Sequence, residues 1–94
     1  MQNRASYMTD LHALFERAVT AARRLPERPD NDTLLRLYAL YKQATEGDAR
    51  GPQPGFFDFV GCAKREAWEQ LAGMSDEEAM RNYVTLARSL GAKV

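Results

Sequence analysis

The stretch Leu37-Tyr-Ala-Leu-Tyr-Lys-Gln-Ala-Thr-Glu-Gly-Asp48 is followed, after a Pro/Gly loop, by Phe56-Phe-Asp-Phe-Val-Gly-Cys-Ala-Lys-Arg-Glu-Ala-Trp68. Its first half reads as a helix with Tyr38, Tyr41 and Lys42 at i, i+3 and i+4, on neighbouring parts of one surface. Its second half opens another helix, with Lys64 at the head of an apolar stripe that continues through Ala67, Trp68 and Leu71. Two phenols and two ammonium groups beside an apolar surface suit a ligand with an anionic end and an oily end.

Outward from this stretch, Gly47, Gly51, Pro52, Pro54 and Gly55 make residues 47–58 the longest loop. Asp30, Asn31 and Asp32 offer caps for the helix before it, about Thr33 to Glu46, which Gly47 ends. Leu34, Leu37, Tyr38, Tyr41 and Thr45 share the central face of that helix, and Leu35 and Lys42 follow one another along an edge. Further upstream, Thr9 or Asp10 caps a first helix whose Leu11, Leu14, Phe15, Ala18, Ala22 and Leu25 form one stripe. Arg23 and Arg24 fall in its last turn, Pro26 and Pro29 stop it, and residues 1–8 read as a loose leader. Downstream, a third helix is expected from about Gly61 to Leu71, with Phe56, Phe57 and Phe59 packed over helix ends as a plug. Ser75-Asp-Glu-Glu78 is a capping box that starts a fourth helix burying Met80, Tyr83, Val84, Ala87 and Leu90. No segment alternates with period 2. The expectation is an all-α single domain over 1–94, four helices with one long middle connection.

Composition narrows the function classes. The 94 residues include 13 basic and 13 acidic side chains, so the basic excess usual for phosphate-backbone binding is missing and no nucleic-acid partner is expected. Apolar residues form 45% of the chain, an ordinary value for a soluble domain. The single cysteine, Cys62, excludes an internal disulfide and fits a reducing compartment. The N-terminus lacks the apolar core of a signal peptide, and no apolar run approaches the roughly 20 residues that span a bilayer. A cytoplasmic protein without stable membrane insertion is expected.

Lys64 falls on a stripe that should face the core and in a first helical turn, where the dipole disfavours a cation. Either an anion meets it, or its stem snorkels over the rim. Tyr38 and Tyr41, taken singly, read as core aromatics. Their hydroxyls need partners when buried, however, and Lys42 lies one turn beyond Tyr38. Tyr83 is a similar candidate. His12 has no companion at metal-ligand spacing, and nothing near Cys62 marks an activated thiol. No phosphate loop, nucleophile elbow or dinucleotide fingerprint is present, and the paired acids sit at helix starts where caps account for them. No catalytic residue, metal or cofactor is assigned.

Taken together, Tyr38-Ala-Leu-Tyr-Lys-Gln-Ala-Thr45 with Gly47-Asp48, Pro54-Gly-Phe-Phe-Asp-Phe59, Gly61, Ala63-Lys64, Ala67-Trp68, Ala79-Met80 and Tyr83 resemble the acyl-CoA-binding protein family, from about Phe15 to Leu90. The resemblance implies an up-down-down-up four-helix bundle and non-catalytic binding, carriage and buffering of medium- to long-chain fatty acyl-CoA thioesters. It implies that Tyr38, Lys42 and Lys64 hold the 3′-phosphate, that Tyr41 stacks near the adenine, and that Tyr83 and Arg23 line the head-group site. The acyl chain would follow Val19, Leu34 and Leu35. The chain departs from the family pattern at Val60 and Cys62, where lysines are frequent, and at Arg65, where an aromatic is. Fatty acyl-CoA is thus the expected partner of an expected monomer. Two alternatives stand beside it: a helical interaction module that has lost the ligand, and a thioesterase or acyltransferase using Cys62 with a base such as His12.

Overall fold

A computed structural model describes the backbone of residues 4–94 and the side chains from Asp10 onward. Four helices follow one another: α1 (Arg4–Ala22), α2 (Asn31–Glu46), α3 (Phe59–Glu69) and α4 (Asp76–Ser89). Among the described residues there is no strand.

Local chemistry fixes most of the ends. The Asp30 carboxylate accepts from the Thr33 amide (2.8 Å) at the start of α2, and Ser75 Oγ accepts from the Glu78 amide (3.1 Å) at the start of α4. Gly47 closes α2 with φ +78°, a conformation in which a side chain is strained.

Five boundaries depart from the sequence reading; two are small, α2 beginning at Asn31 rather than Thr33 and α3 ending at Glu69 rather than Leu71. The α1 helix begins at Arg4, so residues 4–8 are helical rather than a loose leader; residues 1–3 lie outside the described residues. It also ends at Ala22, and Arg23 and Arg24 belong to a tighter turn in which their amides reach Thr20 O and Ala21 O. The α3 helix begins at Phe59 rather than Gly61, because Asp58 is its N-cap and accepts from the Gly61 amide (2.9 Å). A Cβ at Gly61 would collide with that capping carboxylate, so Gly61 is the third residue of the helix and not its start. Lys64 therefore sits in the second turn, and the dipole argument for it falls away.

Packing sets the direction of each helix. Leu34 near the start of α2 faces Ala22 at the end of α1, and Gln43 near the end of α2 donates to Met74 O just ahead of α4 (2.9 Å). Leu34 and Leu35 lie across from Phe59 and Val60, and Trp68 Nε1 donates to Gly47 O (2.8 Å), so α2 and α3 run parallel. Residues 10–14 of α1 flank the body of α4 and its end flanks residues 91–93, so those two also run parallel. The result is the up-down-down-up order.

The core is shared by α1, α2 and α4: Leu11, Phe15 and Ala18 meet Leu37, Leu40 and Ala44, and Met80, Tyr83 and Val84 complete it. The third helix leans on α2 alone and buries only Trp68. Because α2 is packed on two sides, its buried residues include Ala39, Leu40 and Gln43, which a single stripe does not contain. This leaves Leu34, Tyr38 and Tyr41 free to border grooves.

A polar clasp holds the two sides together. Gln43 is fully buried, and its Nε2 donates to Asp48 Oδ1 (2.8 Å) as well as to Met74 O. The same Asp48 oxygen accepts from the Gly73 amide (2.8 Å). That amide, and then the Gln43 side chain, hold the Asp48 carboxyl below its ordinary pKa.

Candidate functional site

Two depressions meet along α2. One, of about 300 Å³, is lined by Val19, Ala22, Arg23, Leu34, Leu37, Tyr38, Tyr41 and Tyr83. The other, of about 470 Å³, is bordered by Leu34, Leu35, Tyr38, Phe59, Val60 and Ala63, with Arg28, Asn31 and Lys64 at its rim. Leu34 and Tyr38 belong to both. The first is rich in phenols, with one guanidinium; the second has an apolar wall between two cations. Both are open to solvent and not filled by the protein's own side chains.

Phe15 organises the tyrosines. Buried in the core, it lies nearly parallel to Tyr41 at 6.0 Å between centroids and meets Tyr83 edge-on at 5.3 Å. Tyr41 is still 40% exposed, so its outer face is open to another ring. Tyr83 is buried, which raises its phenol pKa; the nearby Arg23 charge opposes that rise and Tyr41 adds to it. Among the described residues, no hydrogen bond engages the hydroxyl of Tyr38, Tyr41 or Tyr83.

The lysines differ. Lys64 Nζ stands 5.1 Å from the centroid of the Tyr38 ring, at the rim of the apolar depression, with no carboxylate partner among the described residues. Lys42 lines neither depression: its ammonium pairs with Glu46 and lies 4.9 Å from the Trp68 ring centroid. Eight of the nine expected ligand residues thus border the joined depressions, and Lys42 stands beside them.

Other expectations are corrected. Arg65, where the family pattern has an aromatic, adds no cation to the depressions. Its Nη1 donates to the carbonyls of Arg50 and Gly51 (3.2 Å each) and of Pro52 (3.4 Å), while Nε pairs with Glu69 (3.2 Å). Phe56, Phe57 and Phe59 form no plug; they are 82%, 81% and 72% exposed. His12 lies on α1 and Cys62 on α3, two helices whose backbones do not come close, and Cys62 Sγ donates to Gly55 O at 3.5 Å. That pair is not a nucleophile and its base.

Sequence reasoning missed Arg28 and Asn31, whose side chains face each other at 3.4 Å on the rim. Both sit where a turn gives way to a helix cap, and no periodicity marks such positions. Phe15 read only as core, although its contacts with two tyrosines give it a positioning role.

An all-α domain with an open cleft, phenolic and cationic at one end and apolar at the other, is built to hold an amphipathic anion on its surface. The family model described as "Acyl CoA binding protein" matches residues 12–87. The "Acyl-CoA-binding protein" of Saccharomyces cerevisiae is 49% identical over 80 residues, which cover 85% of this chain and 92% of that protein. "Enoyl-CoA delta isomerase 2" of Rattus norvegicus is 50% identical over 78 residues, which cover 83% of this chain but 20% of the isomerase. This chain thus spans about a fifth of that enzyme and most of the yeast protein. The crystal structure of Oryza sativa Acyl-CoA-Binding Protein 2 superposes with a TM-score of 0.81 at 40% identity, covering 85% of this chain and 89% of that one. The chain belongs to the acyl-CoA-binding protein family.

Proposed function

We propose that this protein is a non-catalytic, monomeric cytoplasmic carrier that binds medium- to long-chain fatty acyl-CoA and buffers or transports it. The observation that carries the reading is the pair Tyr38 and Lys64: the phenol borders both the tyrosine-rich and the apolar depression, and the ammonium over its ring, on the rim of the apolar one, has no carboxylate partner among the described residues. In this reading Tyr38 and Lys64 hold the 3′-phosphate by charge-assisted hydrogen bonds. Tyr41, backed by Phe15, offers its open face to the adenine, and Arg23 and Tyr83 border the head group. Lys42 joins the phosphate contacts when it turns away from Glu46. The acyl chain lies against Leu34, Leu35 and Val19. Each buried methylene contributes about 0.8 kcal/mol, reduced by lost translational freedom and partial exposure.

Calorimetric titration with palmitoyl-CoA, palmitate and CoA tests this. One-to-one binding of the thioester, much tighter than either part alone, supports a site that reads head and chain together. No heat and no thermal shift with any acyl length would overturn it.

A further inference from the structure

Phe56 and Phe57 occupy the two central positions of a turn closed by the Asp58 amide donating to Gly55 O (3.0 Å). Such positions usually go to Gly, Pro, Asn, Asp or Ser. Here they display two phenyl rings, edge to face at 5.1 Å, each more than four-fifths exposed. Phe59 and Val60, in the first turn of α3, are 72% and 67% exposed. Four apolar side chains within five residues therefore stand in water, and none of the four belongs to the core of the fold. A contiguous exposed apolar patch of this kind marks an interaction surface.

The patch runs into the site. Phe59 and Val60 also border the apolar depression, whose rim carries Arg28 and Lys64 and no carboxylate. Two acids beside it are engaged as helix caps, Asp58 by the Gly61 amide and Asp30 by the Thr33 amide. Glu27 and Asp32, next to Arg28 and Asn31 in the chain, are exposed but do not line the depression.

We propose that residues 55–60 form a docking tip that dips into the outer layer of a lipid bilayer containing anionic phospholipid, with Arg28 and Lys64 facing the lipid phosphates. A turn that presents phenyl rings at its apex is convex. It fits a deformable apolar medium, whereas a folded protein would need a matching cavity. Phenyl and aliphatic groups suit the boundary between headgroups and acyl chains, and cations beside them are drawn to the negative surface. The positive end of the α3 dipole lies at the same place. Docking there would set the mouth of the apolar depression against the lipid, so an acyl chain could enter without crossing water. That last consequence rests on the acyl-CoA reading; the docking itself does not.

The test is flotation of the ligand-free protein with vesicles of phosphatidylcholine, with and without phosphatidylserine. Association with the phosphatidylserine vesicles is expected, weaker without that lipid, and reduced about tenfold by F56S/F57S. The same variant should keep wild-type affinity for palmitoyl-CoA in vesicle-free buffer. If neither protein binds palmitoyl-CoA there, the carrier reading fails while the flotation result still judges the tip. No association of the wild type with phosphatidylserine vesicles, or association that F56S/F57S leaves unchanged, would overturn the proposal. A wild-type dimer in sedimentation that F56S/F57S dissociates would overturn it too, by assigning the tip to a second copy. Should the double variant lose helix content, F57Q is expected to weaken association part-way and takes its place.

Discussion

The ammonium of Lys64, on α3, lies 5.1 Å from the centroid of the Tyr38 ring, on α2. The parallel packing of the two helices makes this contact. The side chain is exposed at the rim of the apolar depression, outside the core. It rests on the face of a ring that borders both depressions, held by an interaction of about 0.5–1 kcal/mol. A phosphate can replace that interaction at little cost.

Lys64→Ala should therefore weaken palmitoyl-CoA binding by about ten- to a hundredfold, the range for one charge-assisted hydrogen bond. The residue is exposed and loses only its contact with the Tyr38 ring, so the melting temperature should fall by no more than about 2–8 °C. Calorimetry and a thermal melt on the same sample read both. A large fall in melting temperature would mean that Lys64 supports the fold rather than the ligand.

Lys42 calls for a different experiment, because it already has a carboxylate partner. Its pair with Glu46 is partly exposed and competes with any ligand phosphate. Glu46→Gln removes that competitor and should tighten palmitoyl-CoA binding by about two- to fivefold, the worth of a weak surface ion pair. Lys42→Ala should loosen binding. If neither variant changes affinity, Lys42 stays on Trp68 in the complex and does not touch the ligand.

How much of this was legible in the sequence depends on how local each feature is. Asp30, Gly47 and Ser75 act within one helical turn of themselves, and their caps were readable. The Asp58 cap was equally local, but Phe59 beside two other phenylalanines read as loop, which moved the start of α3 and misplaced Lys64 on the dipole. The plug expected of Phe56 and Phe57 followed from the cost of exposed rings; the turn that displays them has no apolar signature. Which face of α2 meets which neighbour was not readable from periodicity. Leu40 and Gln43 are buried only because α3 and α4 cover different sides of one helix. The candidate site draws Arg23 from beyond α1, Tyr38 from α2, Lys64 from α3 and Tyr83 from α4, and the resemblance to a family joined them before geometry did. The pairing of Arg65 with loop carbonyls depends on where a 15-residue separation folds back, which neither spacing nor family pattern specifies.

Tyr83 carries a pH dependence. Burial raises its phenol pKa above the ordinary 10.0 in the folded protein. The folded state then holds that proton more firmly than the unfolded chain. The stability this contributes is complete below pH 10 and is lost as pH rises from there through the folded value. Melting temperature should therefore fall as pH rises above 10, and Tyr83→Phe should fall less steeply over the same range. Comparing the two slopes cancels the lysine titrations common to both proteins. Parallel slopes would mean that Tyr83 is as solvated as a free phenol.

Arg65 separates loop stability from ligand binding. Its guanidinium side chain is only 13% exposed and ties the Arg50, Gly51 and Pro52 carbonyls to α3. A planar fork can serve several carbonyls at once where an ammonium cannot. Arg65→Ala should cost about 1–3 kcal/mol of stability, a fall of about 4–8 °C per kcal/mol for a domain of this size. Limited proteolysis should show faster cutting within residues 47–58, and Arg65→Lys should recover little. Palmitoyl-CoA affinity should stay within about twofold of the wild type, as for a substitution away from the site. A loss of affinity comparable to that of Lys64→Ala, at unchanged melting temperature, would place Arg65 on the ligand instead of on the loop.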